Sequence, residues 1–112
     1  MNRKTLFFFA FALSLCVLVS GQPVLAASFN CAKARTYVER TVCDDEEISA
    51  ADDLLDDAYN EARKTTGNSR RFQAYARARL AERNRCTNKT CIRNWYERTI
   101  DQYERISRRG MR

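Results

Sequence analysis

Residues 86–91 read CTNKTC, a segment that begins and ends with cysteine and has arginine-rich sequence on both sides. Two cysteines at this spacing can form part of a metal-binding site, a redox centre or a disulfide that closes a turn. The spacing differs from the C-x-x-C of thiol oxidoreductases. Zinc is also disfavoured, because the other cysteines are widely spaced and the chain contains no histidine. A disulfide requires an oxidising compartment, which the N-terminus indicates.

The N-terminus has the pattern of an export signal. Two basic residues precede an uncharged apolar stretch at residues 6–20, which is shorter than the ~20 residues of a membrane-spanning helix. Small residues then form a cleavage site that ends at Ala26. We therefore predict a cleaved signal peptide at residues 1–26 and one mature domain at residues 27–112. We expect the domain to be periplasmic or secreted in a bacterium, with no stable membrane insertion after cleavage.

The cysteine count favours two disulfides in the mature domain. Removal of Cys16 with the signal peptide leaves Cys31, Cys43, Cys86 and Cys91. An even count in a short exported chain is typical of disulfides, although sequence alone allows three connectivities. Each of the pairs Cys31–Cys43 and Cys86–Cys91 is close in sequence and flanks a predicted short helix or turn. We therefore predict these two bonds, with CTNKTC as the staple of a helical hairpin.

Start and stop signals predict helices throughout the mature domain. It contains two glycines, no proline and no alternating strand pattern. A T-x-x-E capping box at Thr36 starts the first helix, and Asp44 or Asp45 caps the second. Gly67 ends the second helix, Ser69 caps the third, which ends near Cys86, and a fourth helix follows the cysteine turn. The predicted fold class is all-α, a small disulfide-stapled bundle of three to four helices.

Apolar residues at helical spacing predict the core. They recur at intervals of three to four along the second, third and fourth helices, which is typical of one buried face on each helix. We expect five residues from these faces to be buried together, namely Leu55, Tyr59, Leu80, Tyr96 and Ile100.

Charge is strongly polarised along the chain. Residues 27–61 contain 3 basic and 10 acidic residues, whereas residues 62–112 contain 15 basic and 4 acidic residues. Basic segments often bind nucleic acid, but an exported protein meets little of it, so no nucleic-acid partner is predicted. The simpler interpretation is that the two halves pair with each other when the helices pack.

The residue types disfavour catalysis. Without histidine the chain cannot build a Ser-His-Asp or Cys-His arrangement, and we expect the cysteines to be bonded. Carboxylates are plentiful, but on an exposed helix they lack the cleft of a glycosidase. They also lack the D-x-D-x-D-G loop of a calcium site. We predict that the protein is not an enzyme and has no cofactor and no metal.

The cysteine frame and its neighbouring residues resemble a known family. The pattern comprises F-N-C-A-K-A at 29–34, T-x-x-E-x-x-V-C at 36–43, D-x-E-I-x-x-x-D-x-x-L-x-x-x-Y at 45–59, L-x-x-R-N-x-C at 80–86 and C-I-x-x-x-Y at 91–96. It resembles the LprI-like lysozyme-inhibitor family over nearly the whole mature chain. The resemblance implies a small, disulfide-bonded, all-helical secreted or periplasmic domain, some of whose relatives inhibit lysozyme.

The resemblance implies a protein partner, with c-type lysozyme as the candidate. Because such lysozymes are strongly cationic, surface acids on the second helix would attract them, and the candidates are Asp53, Asp56 and Asp57. Alternatively, a basic side chain near the hairpin tip would enter the carboxylate-containing lysozyme cleft, and the candidates are Arg83, Arg85 and Lys89.

Two further interpretations stay open at this point. The acids and arginines can serve the fold alone, by helix capping and by pairing between helices, and Arg83 can form a salt bridge to the second helix. The exported domain can also be an envelope interaction module that docks onto another cell-wall or membrane component, including anionic surface polymer, through its basic half.

Overall fold

A computed structural model describes residues 29–111, which form four α-helices and no strand among the described residues. The predicted signal peptide at residues 1–26 lies outside the described residues. The elements are a 3-10 turn (Cys31–Lys33), α1 (Tyr37–Asp44), α2 (Glu46–Thr66), α3 (Arg70–Arg83) and α4 (Lys89–Arg109). The predicted all-α class is therefore confirmed.

Side-chain caps fix the ends of α1 and α2 where the sequence predicts them. The Thr36 hydroxyl accepts from the Glu39 amide at 3.0 Å, and the Glu39 carboxylate accepts from the Thr36 amide at 3.3 Å, which completes the capping box. Asp45 caps α2 by accepting from the Ile48 amide at 3.1 Å. At the other end Gly67 adopts a left-handed φ of 64°, a conformation that other residues rarely take.

The caps of α3 and α4 are equally local. Ser69 accepts from the Phe72 amide, as predicted, and starts α3. Asn88 accepts from the Cys91 amide at 2.8 Å and starts α4, a cap that the sequence interpretation missed. The third helix ends earlier than the predicted position near Cys86. α3 ends at Arg83, with Asn84 as its cap.

Both predicted disulfides are present. Cys31 and Cys43 are bonded at 2.05 Å, and Cys86 and Cys91 at 2.03 Å, with Cα–Cα distances of 5.8 and 5.5 Å. The first bond ties the N-terminal turn to α1, and the second ties the end of the α3 segment to the first turn of α4. Disulfides of this kind indicate an oxidising, extracytoplasmic compartment. None of the helices in residues 29–111 has the length and hydropathy needed to cross a bilayer.

The core follows the long α2–α4 pair and divides into two buried clusters. At the end where α1 packs, the first cluster contains Val38, Val42, Ile48, Cys86, Ile92, Trp95 and Tyr96. Toward the other end of the pair, the second contains Ala58, Ala62, Phe72, Tyr103 and Ile106.

The predicted core is right in part and wrong for Leu80. Tyr96 is 1% exposed, and Leu55, Tyr59 and Ile100 are half-buried against the two clusters. Leu80 is instead 45% exposed. The reason is that α3 packs on the bundle less closely than α2 and α4 pack on each other. Its buried residues, Phe72 and Arg83, lie near its two ends, and Tyr75 and Ala76 pack partly against the second cluster, so Leu80 is the apolar residue left uncovered.

Candidate functional site

The gap between α2 and α3 forms a groove of about 440 Å³. Its apolar lining comes from Leu55, Tyr59, Ala76, Leu80, Trp95 and Tyr103. Its polar lining comes from Asp52, Asp56, Arg63, Asn68, Gln73, Arg77 and Arg83. Pockets of this size with a mostly apolar floor and a few polar groups are typical binding sites. The exposed Leu80 therefore belongs to the surface where a partner side chain would fit.

A buried polar network lies at one end of the groove and joins three helices. The hydroxyl of Tyr96 on α4 donates to Oδ1 of Asp52 on α2 at 2.8 Å. It accepts from Nη1 of Arg83 on α3 at 3.1 Å. Arg83 Nη1 lies 3.9 Å from Asp52 Oδ1, and these two side chains are 7% and 2% exposed. Pairing and hydrogen bonding are what allow charged groups to be buried.

The surroundings of the network hold each member in place. Burial raises the pKa of Tyr96, so its hydroxyl stays protonated at neutral pH and donates to Asp52. The Arg83 guanidinium also lies over the Trp95 ring at 5.7 Å from its centroid. The indole Nε1 of Trp95 donates to the Arg79 carbonyl at 2.9 Å. This arrangement positions α3 against α2 and α4.

Arg83 therefore has a structural role, the salt bridge to the second helix that was one of the open interpretations of the sequence. It forms the salt bridge to α2 and is 6% exposed, so its charge is not available to enter a partner's cleft. The sequence pattern does not predict a buried Asp52, because Asp52 lies in a run of acids on a helix that we expect to be exposed. Its spacing carries a signal, since Asp52 follows the buried Ile48 by four residues and precedes Leu55 by three.

The two other basic candidates lie on the surface at the hairpin tip. Arg85 and Lys89 are both exposed. Lys89 Nζ lies 3.1 Å from Asp45 Oδ2, and Arg93 Nη2 lies 3.5 Å from the same oxygen. The Ile48 amide, followed by Lys89, lowers the pKa of the Asp45 carboxyl. The acidic start of α2 thus pairs with the basic start of α4, as the charge polarisation predicts.

The three acidic candidates form an exposed surface on α2, which we call the acidic face: Asp53, Asp56 and Asp57. Asp56 lines the groove and accepts a hydrogen bond from Asn60 at 3.5 Å. Within residues 29–111, none of the three carboxylates forms an ion pair. The structure thus brings one acidic candidate to the groove and leaves the charges of all three acidic candidates facing solvent. The acidic face is separate from the basic candidates at the hairpin tip.

All four cysteines in residues 29–111 are in disulfides, and this part of the chain has no group of three metal-ligating side chains. No family model, curated protein or solved structure matches the chain. The family resemblance therefore stays a prediction that rests on the sequence pattern.

Proposed function

We propose that this protein is an exported, non-catalytic binding domain of the LprI-like type that inhibits lysozyme by stoichiometric association. The observation that carries the proposal is the acidic face, in which Asp53, Asp56 and Asp57 are exposed and form no ion pair among the described residues, with Asp56 lining the groove. Surface charge that the fold does not use is available to a partner.

The acidic face suits a cationic partner physically. Complementary surface charge steers two proteins together and raises the association rate, more than it raises the final affinity. A c-type lysozyme, with its strongly basic surface, has the required sign. Once the proteins meet, the groove offers Leu80 and an apolar floor for a side chain of the partner. Burial of apolar surface there would add affinity without any chemical step.

The frame behind this surface favours tight binding. The Cys86–Cys91 disulfide and the buried Asp52–Tyr96–Arg83 network hold α2, α3 and α4 together. A rigid surface loses less conformational entropy on association, which leaves more of the contact energy as affinity. Export fits the same function, because a lysozyme inhibitor acts where lysozyme meets the cell wall. The predicted signal peptide supports a periplasmic or secreted location in a bacterium.

Fewer basic residues remain as candidates for the alternative in which a basic side chain enters the lysozyme cleft. Arg83 is buried and Lys89 is paired with Asp45. Arg85 is exposed and forms no ion pair among the described residues, so it is the basic candidate that this alternative retains. The acidic face remains the favoured contact because it presents three charges on one rigid helix.

A turbidity assay tests the function most cheaply. The oxidised mature protein is titrated into c-type lysozyme acting on a bacterial cell suspension. The proposal predicts that inhibition rises linearly to an equivalence point and that the inhibitor is recovered intact afterwards. A reduced, alkylated sample of the same protein is the control and should inhibit poorly. Unchanged lysozyme activity at a micromolar excess of inhibitor would contradict the proposal, and the envelope-module alternative would replace it.

A further inference from the structure

Three helix ends meet at the end of the bundle opposite the cysteine hairpin. α2 ends at Thr66, and after the turn at residues 67–69 α3 begins at Arg70. The Thr65 hydroxyl donates to the Ser107 carbonyl at 3.1 Å, which places the last turns of α4 beside the end of α2. Ala62, Phe72 and Ile106, one from each helix, share the second buried cluster. Side chains near these three helix ends therefore form one continuous surface.

This surface, which we call the basic end, carries six exposed basic residues besides Arg71: Arg63, Lys64, Arg70, Arg105, Arg108 and Arg109. Three acids lie nearby. Glu61 pairs with Lys64 at 3.2 Å and Asp101 pairs with Arg105 at 2.8 Å, which leaves Glu104. The basic end thus has a surplus of positive charge that nearby acids do not neutralise. The acidic partners of the basic half lie mostly at the other end of the bundle, where Asp45 meets Lys89.

A shallow depression of about 470 Å³ lies within the basic end. It is lined by Arg105, Ile106, Arg109 and Gly110, so arginine side chains and apolar surface line it together. Arginine binds phosphate oxygens through two parallel hydrogen bonds. An apolar floor beside a phosphate-binding group suits an amphiphile better than a free anion. The depression therefore has the chemistry of a phospholipid headgroup site.

We propose that the basic end docks onto the surface of an anionic phospholipid membrane, with Arg109 receiving a headgroup phosphate. A cluster of basic side chains gains about 1 kcal/mol for each residue held near an anionic bilayer, which is about a fivefold change in partitioning. The charges converge on one end of the molecule and not along a groove, which fits a broad charged plane better than a single extended polyanion. The disulfides place the protein outside the cytoplasm, where the membrane surface is accessible.

This docking is independent of the lysozyme proposal and compatible with it. The acidic face at residues 53–57 is separated from Arg63 by six to ten positions along α2, roughly 9–15 Å at 1.5 Å per residue. Attachment through the basic end would leave the acidic face and Leu80 in the groove open to solvent, while Arg63 belongs to both surfaces. Loss of membrane docking and loss of lysozyme binding should therefore be separable by substitution.

The test measures partitioning of the oxidised mature protein onto phosphatidylcholine vesicles with and without phosphatidylglycerol, at an ionic strength of about 0.1 M. We expect binding to the anionic vesicles only. The double variant Arg108→Gln/Arg109→Gln should weaken it by about 25-fold, from about fivefold for each residue. Lys64→Gln/Arg70→Gln changes α2 and α3 of the same surface, outside the groove lining, and should weaken it similarly. The matched control Arg35→Gln/Arg85→Gln removes the same charge at the other end and should change partitioning by less than about threefold, since it lies beyond the ~10 Å screening length.

Circular dichroism confirms that each variant is folded before its partitioning is interpreted. Equal losses in the control and the basic-end variants would show that net charge alone drives binding, and would overturn the proposal. Equal binding to neutral vesicles would also overturn it. A third arm replaces vesicles with soluble dextran sulfate. If dextran sulfate binds as tightly as the vesicles and the basic-end variants lose it equally, a soluble polyanion is the ligand and the membrane proposal fails.

Discussion

Replacement of Arg83 by methionine tests the buried network that holds α3 in place. The substitution removes the guanidinium and keeps a long side chain that can fill much of the same space. It abolishes the 3.1 Å hydrogen bond to Tyr96 and the 3.9 Å approach to Asp52. Arg83 was one of the basic candidates for partner binding. The effect of the substitution on stability therefore also distinguishes a structural role for Arg83 from a role in partner binding.

The expected cost follows from the burial of the remaining carboxylate. Asp52 is 2% exposed and would lose this cationic neighbour. Removing one member of a buried ion pair costs about 3–5 kcal/mol. Because the Tyr96 hydroxyl still donates to Asp52 at 2.8 Å, we expect the lower end of the range, about 3 kcal/mol. Each kcal/mol shifts the Tm of a domain of this size by about 4–8 °C, so the Tm should fall by about 12–24 °C.

Urea denaturation of the oxidised protein measures this cost, and a double-mutant cycle assigns it. Asp52→Asn and the pair Asp52→Asn/Arg83→Met complete the cycle. If the two side chains interact as the structure shows, their coupling should be about 1–3 kcal/mol and the double variant should lose less than the sum of the singles. A loss below about half a kcal/mol for Arg83→Met would place the side chain on the surface and refute the network's role.

Three other predictions concern a cap, the groove and a staple. Because the pKa of Asp45 is lowered, its charge contributes stability that is present above about pH 4 and lost as the pH falls through the lowered pKa. The stability gap between the parent and Asp45→Asn, which keeps a capping oxygen, should therefore close below about pH 4 in pH-dependent melts; a gap that persists at lower pH would contradict the assigned ion pairs. Leu80→Gln should change unfolding free energy by less than about half a kcal/mol, because the side chain is 45% exposed, yet weaken lysozyme binding in calorimetry; a large stability loss would mean that α3 packs against α2 in solution. Substituting Ala for both Cys86 and Cys91 should cost roughly 2–3 kcal/mol in denaturant, and non-reducing peptide mapping of the parent should show no link between Cys43 and Cys86.

Local signals explain why the helices could be predicted from the sequence. The Thr36 capping box, the Ser69 cap and the left-handed Gly67 each act over three or four residues, so no knowledge of tertiary packing is needed. The two disulfides also follow from proximity along the chain once an oxidising compartment is assumed. Asn88 was missed as a cap because its cysteine-rich neighbourhood was interpreted as a turn.

Packing distances explain what the sequence could not predict. The apolar stripe of α3 predicts a buried Leu80, but periodicity gives the direction of a face and not how closely a neighbouring helix approaches it. Leu80 therefore became part of the groove. Asp52 shows the opposite error, since an acid on an apolar stripe is buried only when side chains from other helices supply its partners. Those partners, Tyr96 and Arg83, lie on two different helices far along the chain.

The acidic face is the central element of the functional proposal, and its contribution is measured by the rate of association with c-type lysozyme. Stopped-flow mixing over a range of ionic strengths compares the parent with the triple variant Asp53→Asn/Asp56→Asn/Asp57→Asn. A matched control removes three charges from α4 instead, as Glu97→Gln/Asp101→Asn/Glu104→Gln. Circular dichroism and thermal melts establish that all three proteins are equally folded.

This salt-dependent association rate tests the account most directly. For the parent, the rate should fall steeply with added salt, because exposed charges are screened over ~8–10 Å at physiological ionic strength. The triple variant should associate several-fold more slowly at low salt and converge with the parent at high salt, while the α4 control stays close to the parent. If the triple variant associates as fast as the parent at low salt, the acidic face is not the contact, and the exposed basic residue Arg85 takes its place.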